Sequence, residues 1–347
     1  MKFQRVQIDA IGYELAPVVV TSTDLEDRLA PMYEALHLVP GQIESLTGIV
    51  ERRFWEEGTT LSGSAIKAAQ HALNLAKVEV KDIETLIYTG VCREHFEPAT
   101  AFAVAAGLGI NSHSAIYDIS NACLGVLNGM IDIANRIELG QIRAGLVVSS
   151  ETAREINDIM IERMLAEKSM AFFAEALATL TGGSGAVAVL LTDGSFSGER
   201  RRRLIGGATM SAPEHHRLCL WGVEPTGGDN YKQFMTTDAV GVLKHGVGLG
   251  VVTWETFLAE IGWTRETVEK VICHQVGSGH RDQILEALEI PMEKDFSTYK
   301  YLGNMGTVSL PVTAALAEER EFLHAGDRVA LLGIGSGLTC MMVGVEW

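Results

Sequence analysis

Strand-length apolar runs alternate with longer stretches of helical period along most of the 347 residues, and the order is laid down twice. That alternation favours a layered α/β architecture over a bundle or a sandwich. The first half reads as strands over 2–12, 84–91, 114–119, 143–150 and 185–193, with helices over 61–77, 98–107 and 122–140. An amphipathic stretch, EINDIMIERMLAEKSMAFFAEALATL, fills 155–180. The second half reads as strand 203–211, a long helical region around 230–261, strand 269–276, helices 279–290 and 307–323, and strands 327–336 and 339–347. Self-similarity at the level of residues is weak, so the duplication rests on element order. It divides the chain into an N-terminal half, 1–195, and a C-terminal half, 196–347.

Hydrophobic residues make up 47% of the chain, charged residues 21%, and proline occupies 8 positions, which excludes compositional disorder. A net charge of −16 repels phosphate backbones and anionic lipid surfaces, so neither nucleic acid nor a membrane surface is expected as a partner. One dense basic run, Arg200 to Arg203, opposes that sign. It is either a solvated loop or a contact for an anionic carrier protein or a nucleotide phosphate. The cysteines, at 92, 123, 219, 273 and 340, have no CxxC spacing, so neither a zinc site nor a dithiol is expected and a reducing cytoplasm fits. No stretch offers 18 charge-free apolar residues, and the strand-like N-terminus lacks a signal-peptide core. The expectation is a cytoplasmic protein without an integral membrane segment.

Ligands of α/β sheets collect at the carboxyl ends of strands and at the helix N-termini facing them. Cys123 lies there, in YDISNACLGV, where an apolar strand breaks and runs into a helical pattern. Unpaired N–H groups and the positive end of the helix dipole favour a thiolate at such a junction, which makes Cys123 a candidate nucleophile. Cysteine also serves as a small buried hydrophobe, and the segment alone leaves both roles open. His274, in VICHQVGSGH, closes another apolar strand against a Gly/Ser turn, as a proton acceptor, an oxyanion donor or a satisfied core histidine. Asn304, in YKYLGNMGTVSLP, offers a carboxamide N–H in a glycine turn, although Asn is also ordinary turn chemistry. Gly333, Gly335 and Gly337 stand between the last two strands, where glycines let a backbone approach a ligand closely. GIGSG leads into a strand, so it is no dinucleotide fingerprint.

These pieces in this order resemble the thiolase superfamily, and within it the branch of ketoacyl-ACP synthase III and OleA-type acyl-CoA condensing enzymes. TGIVERR (47–53), YDISNACLGV, LTGGSGAVAVLL (180–191), ICHQV, GNMGTVSLP and the ending GIGSGLTCMMVGVEW carry the likeness, which covers essentially the whole chain. It implies a five-layered, duplicated α/β/α/β/α fold and a homodimer. It implies further that Cys123 is acylated by a thioester, with the backbone N–H groups of Cys123 and Ser336 holding its carbonyl oxygen. His274 and Asn304 would form the oxyanion hole for a second thioester. No permanently bound cofactor and no metal are implied; coenzyme A thioesters are substrates, with an acyl carrier protein as alternative donor.

CREHFEPATAFAVAAGLGI (92–110) separates the close relatives. Synthase III is expected to place an aromatic residue where Glu97 stands before Pro98, whereas an acidic residue followed by Pro is similar to OleA-type enzymes. There the glutamate of the neighbouring subunit acts as base. Joining two unactivated acyl thioesters requires removal of an α-proton, a task suited to a partly desolvated carboxylate; without the resemblance Glu97 reads as a solvated charge at a helix start. The function implied is a non-decarboxylative Claisen condensation of two fatty acyl-CoA molecules, giving a β-ketoacyl-CoA or a 2-alkyl-3-keto acid for lipid or long-chain hydrocarbon synthesis. The alternatives are a decarboxylating 3-oxoacyl-ACP synthase III using malonyl-ACP, an ester- or amide-forming acyltransferase, and a non-catalytic acyl-binding partner. Leu46 stands where synthase III sets an arginine on the adenine, which leaves Arg52, Arg53, Arg200 and Arg201 as candidates for the coenzyme A phosphates. The 155–180 stretch reads as an acyl-channel wall at a dimer interface, a helical insertion on the core, or both.

Overall fold

A computed structural model of the chain describes residues 1–196, 202–227 and 230–347. The described part opens with β1 (Gln7–Leu15), β2 (Val18–Thr21), α1 (Ser22–Arg28), α2 (Ala30–Leu36), α3 (Gln42–Thr47) and β3 (Glu51–Phe54). It continues through α4 (Leu61–Ala76), β4 (Thr85–Tyr88), α5 (Thr100–Leu108), β5 (Ala115–Asp118), α6 (Gly125–Glu138), β6 (Ala144–Glu151), α7 (Arg154–Glu167), α8 (Met170–Ala176) and β7 (Gly185–Thr192). The remainder is β8 (Arg202–Ser211), β9 (Cys219–Gly227), β10 (Asn230–Thr237), α9 (Ala239–Ile261), β11 (Lys270–Cys273), α10 (Ser278–Ala287), α11 (Tyr299–Leu302), α12 (Ser309–Glu319), β12 (Arg328–Gly335) and β13 (Thr339–Glu346).

Nine strands form one mixed sheet in the order β11-β12-β13-β8-β1-β7-β6-β4-β5. Strands of the early and late parts of the chain occupy separate ends of it, and they meet through the short pairing of Gln7 with Arg203 and Ile8 with Arg202. Because strand side chains alternate between faces, each strand feeds two cores. On β7, Val187, Val189 and Leu191 join the core containing α6 and α12, whereas Ala186, Ala188 and Leu190 join the core under α4 and α5. On β12, Val329 and Leu331 face α6 and α12, whereas Ala330 and Leu332 pack with Trp254 and Phe257 of α9 and Leu285 of α10. Helices therefore lie outside each end of the sheet and between the two ends, giving the five-layered α/β/α/β/α arrangement. Both strand faces are dry, which explains why these strands read as continuous apolar runs.

The outer helices show their burial in sequence. Alanines 65, 68, 69, 72 and 76 of α4 are buried at helical spacing, and Thr60 caps the helix by accepting from the Gly63 N–H at 3.1 Å. One expected helix is wrong in part: residues 230–237 form β10, paired antiparallel with β9, and only 239–261 are helical. The strand is set by its pairing, Phe234 with Gly222, Met235 with Trp221 and Thr236 with Leu220, and Asp238 caps α9 by accepting from the Gly241 N–H at 2.8 Å, so the helix cannot extend backwards. The 155–180 stretch breaks at Lys168, whose φ of 46° ends α7, and Ser169 caps α8. Together with α1 to α3 these helices form a fourth core over the sheet.

Candidate active site

Cys123 lies in a single 3₁₀ turn, Ala122–Leu124, between the end of β5 and the start of α6. Ala122 has φ 44°, a left-handed conformation that costs a non-glycine residue about 1 kcal/mol. Neighbours crowd the turn from all sides. A Cβ on Gly125 would sit 2.2 Å from the Thr89 carbonyl oxygen, one on Gly333 would sit 2.5 Å from Leu124 Cδ2, and one on Gly335 would sit 3.4 Å from the Cys123 nitrogen. The glycines of β12, expected to open the backbone to a ligand, make room at 333 and 335 for the turn that carries Cys123, and Gly335 also lines the cavity described below. The expected thiolate is also not favoured in the free protein. Burial above all, then Cys219 and the Glu151 carboxylate, push the Cys123 thiol up to about 12, and its own backbone N–H offsets only part of this. A one-turn 3₁₀ segment aligns too few peptide dipoles to outweigh desolvation.

His274 follows β11 directly, where its N–H donates to the Leu332 carbonyl at 2.9 Å. It is 7% exposed, and burial, followed by His280, lowers its pKa to about 4. The ring is neutral at pH 7 and keeps one N–H to donate. Gln275 fixes the neighbourhood: its Oε1 accepts from the N–H groups of Thr298 and Tyr299 at 2.7 and 3.0 Å, and its Nε2 donates to the Cys273 carbonyl at 2.6 Å. Asn304 is held by its backbone, which donates to Thr181 O at 2.8 Å and accepts from Gly183 N at 2.9 Å. Its Oδ1 accepts from the Gly306 N–H at 3.0 Å. The carboxamide is thereby oriented, leaving the Nδ2 hydrogens for another acceptor.

Cys123, His274, Asn304 and Ser336 line one largely apolar cavity of about 300 Å³, together with Cys219 and Thr181. The ends of β9 and β10 and the start of α9 also line it, contributing Cys219, Met235, Thr237 and Val240. Other sequence candidates lie elsewhere. Glu97 is exposed, beside the fully exposed Phe96, on the loop between β4 and α5, and is not among the residues lining the cavity. Arg52 is wholly buried, donating to Val20 O at 3.3 Å and Ser22 Oγ at 3.0 Å, so it cannot serve a coenzyme A phosphate in solvent. Arg53 is half-buried and does not line the cavity. Arg200 and Arg201 lie outside the described residues, whereas Arg202 and Arg203 of the same run pair with Glu318 and Glu346. Among the described residues no group of three His, Cys, Asp or Glu side chains could hold a metal ion, and no helix is long and apolar enough to cross a membrane. Sequence reasoning missed Cys219, Gln275 and Glu151; an acid directly after the apolar run AGLVV and two serines was the available signal for the last.

A cysteine on a strained strand-to-helix turn, sharing a cavity with a neutral histidine and an oriented carboxamide on a five-layered α/β/α/β/α frame, defines the class: a thiolase-superfamily condensing enzyme, an acyltransferase. The 3-oxoacyl-[acyl-carrier-protein] synthase III C-terminal family model matches residues 258–347. Over the full length of both proteins the chain is 58% identical to the acyl-CoA:acyl-CoA alkyltransferase of Shewanella oneidensis and 34% identical to that of Xanthomonas campestris. Its structure superposes with a TM-score of 0.92, at 34% identity, on a cysteine-to-serine variant of Xanthomonas campestris OleA with bound lauric acid and lauroyl-CoA, covering 99% of this chain and 100% of that one. The chain belongs to the OleA-type acyl-CoA:acyl-CoA alkyltransferase family.

Proposed function

We propose that Cys123, His274, Asn304 and Glu97 divide the work of a non-decarboxylative Claisen condensation between two fatty acyl-CoA molecules. The observation that carries this is the convergence of Cys123, His274 and Asn304 on one apolar cavity. The Cys123 sulfur attacks the carbonyl carbon of the first thioester and expels coenzyme A, a thiol of similar basicity, so little energy is lost in forming the acyl-enzyme. The resting group is a thiol, so its proton passes to the departing coenzyme A sulfur, which leaves as the free thiol. The backbone N–H groups of Cys123 and Ser336 receive the oxyanion of that step. The carbonyl of the second thioester lies against the His274 N–H and the Asn304 Nδ2, which stabilise its enolate when the α-proton is removed. Neutral His274 suits a donor role, since it brings no charge that would need desolvating.

Glu97 of a second copy of the chain takes the α-proton; its exposed position outside its own cavity agrees with a residue that reaches a neighbouring site. The carbanion then attacks the acyl group on Cys123 and expels the thiolate, leaving a β-ketoacyl-CoA that can be hydrolysed to a 2-alkyl-3-keto acid. The active form is a homodimer, each chain built from an N-terminal half, 1–195, that bears the thiol and a C-terminal half, 196–347, that bears the histidine and asparagine. The protein works in the cytoplasm with acyl-CoA as donor. Incubation with lauroyl-CoA should add one acyl mass to intact protein, and Cys123→Ala should abolish it. Glu97→Gln should keep the adduct and lose product formation by about 10²-fold or more. Full condensing activity in Glu97→Gln would overturn the base assignment, and release of carbon dioxide from malonyl-ACP would support a decarboxylating synthase III instead.

A further inference from the structure

Glu151 closes β6, is 3% exposed, and has no part in the chemistry above. Its two carboxylate oxygens accept from consecutive backbone N–H groups, Val91 at 2.9 Å and Cys92 at 3.0 Å. These residues begin the loop that ends at Glu97. The Thr307 N–H faces the carboxylate and favours its charged form. Thr307 lies in the turn after Asn304, and its Oγ1 accepts from the Val126 N–H at 2.7 Å, in the first turn of the helix that follows Cys123. Gly306, at φ 56°, completes the cradle: a Cβ there would stand 3.3 Å from Glu151 Cδ, Cγ and Oε1. From the other side Trp55 Nε1 donates to the Glu151 carbonyl at 3.0 Å, and the Tyr88 hydroxyl bridges the Cys92 and Ser150 carbonyls at 2.7 and 2.8 Å.

A buried carboxylate is costly unless hydrogen bonds compensate it, and here every donor comes from a segment that also bears a reacting group. We propose that Glu151 is a positioning residue for the condensation step, a single anchor that sets the Glu97 loop and the Asn304 turn relative to the turn carrying Cys123. The inference rests on the condensation chemistry proposed above. Carbon–carbon bond formation uses Glu97 and Asn304, whereas formation of the acyl-enzyme uses the Cys123 sulfur and the backbone N–H groups of Cys123 and Ser336. Loss of the anchor therefore falls on the second step. Burial raises the proton affinity of Glu151 and the three backbone donors oppose that rise, as expected of an acceptor held in place by its partners.

Glu151→Gln presents an amide NH₂ to one of the backbone donors and so breaks one side of the anchor while keeping its volume. Acylation of Cys123 by lauroyl-CoA, followed by intact mass in single turnover, should proceed at or above the wild-type rate, since the change also removes a carboxylate that raises the Cys123 thiol. Steady-state product formation should fall about 10²-fold, in kcat with KM unchanged, as for a misplacement on the order of 1 Å. Gly306→Ala, which presses on the carboxylate and leaves its charge intact, should show the same split to a smaller degree and decides the matter if Glu151→Gln does not fold. Equal losses in both steps would mark Glu151 as a stability residue only and overturn the inference. Unchanged condensation in both variants would overturn it as well. Absence of an acyl adduct on the wild-type protein would remove the underlying chemistry, and this inference with it, before any variant is tested.

Discussion

His274 carries its depressed proton affinity into the stability of the chain. Its pKa is about 4 when folded and near the ordinary 6.5 when unfolded, so between these values the unfolded chain binds the proton and the folded chain does not. The contribution is complete above pH 6.5 and is lost as pH falls toward 4, amounting to about 2 kcal/mol between pH 7 and pH 5. Urea unfolding at those two pH values should show that loss in the wild type and its disappearance in His274→Asn; an identical pH dependence in both would contradict a buried neutral imidazole. Residues of this kind were legible because each lies at the end of a short apolar strand or in a glycine turn. Arg52 was not legible. TGIVERR reads as a surface arginine, and the groups that bury it, Val20 O and Ser22 Oγ, come from a distant strand and helix start. The acidity of Cys123 was misread for a related reason. The chain pattern marks a helix start, but the desolvation that outweighs it comes from the walls of the cavity.

Among elements, the short 3₁₀ turn joining β5 to α6 leaves its neighbours little room. Gly125 abuts the Thr89 carbonyl, a backbone atom that cannot swing aside, so Gly125→Ala must shift the turn. The expected cost is about 1–3 kcal/mol, read as a lowered urea midpoint, with acylation of Cys123 slowed in the folded protein. Retention of wild-type stability and acylation would show that the turn has slack. Most helices and strands of the sheet were readable within a few residues, because both faces of the strands are dry and the helices carry one apolar stripe. The β9–β10 hairpin was not. Its pairing leaves half of its residues in solvent, and the apolar pattern of α9 could be run backwards into NYKQFMTT without violating helical period. The α1 to α3 segment escaped notice too, since those helices are 6 or 7 residues long and gain their order from the α7–α8 layer they pack on.

On the scale of the whole molecule, the placement of Glu97 outside its own cavity has a consequence that mixing can read. A preparation of Cys123→Ala and one of Glu97→Gln should each be inactive in condensation. If the base crosses between subunits, exchange of the two at equal amounts should restore about a quarter of wild-type activity, since half of the dimers are mixed and each mixed dimer has one complete site. No recovery after verified exchange would place the base in its own chain. The duplicated order of elements made the layered frame legible. How the chain's early and late parts join was not, because the Gln7–Arg203 and Ile8–Arg202 pairings are contacts between residues far apart in sequence.

That seam has a thermal meaning. Cys123 comes from the early end of the sheet and His274 from the late end, and the pairings of Gln7 and Ile8 and the shared α6/α12 layer lie between them. Each end has its own outer helices and its own dry core. Warming that loosens the seam by a fraction of an ångström costs each end little of its packing but shifts the thiol relative to His274 across the cavity. Activity should accordingly be lost at a lower temperature than the one at which the two ends melt, and loss of both over one temperature range would contradict this.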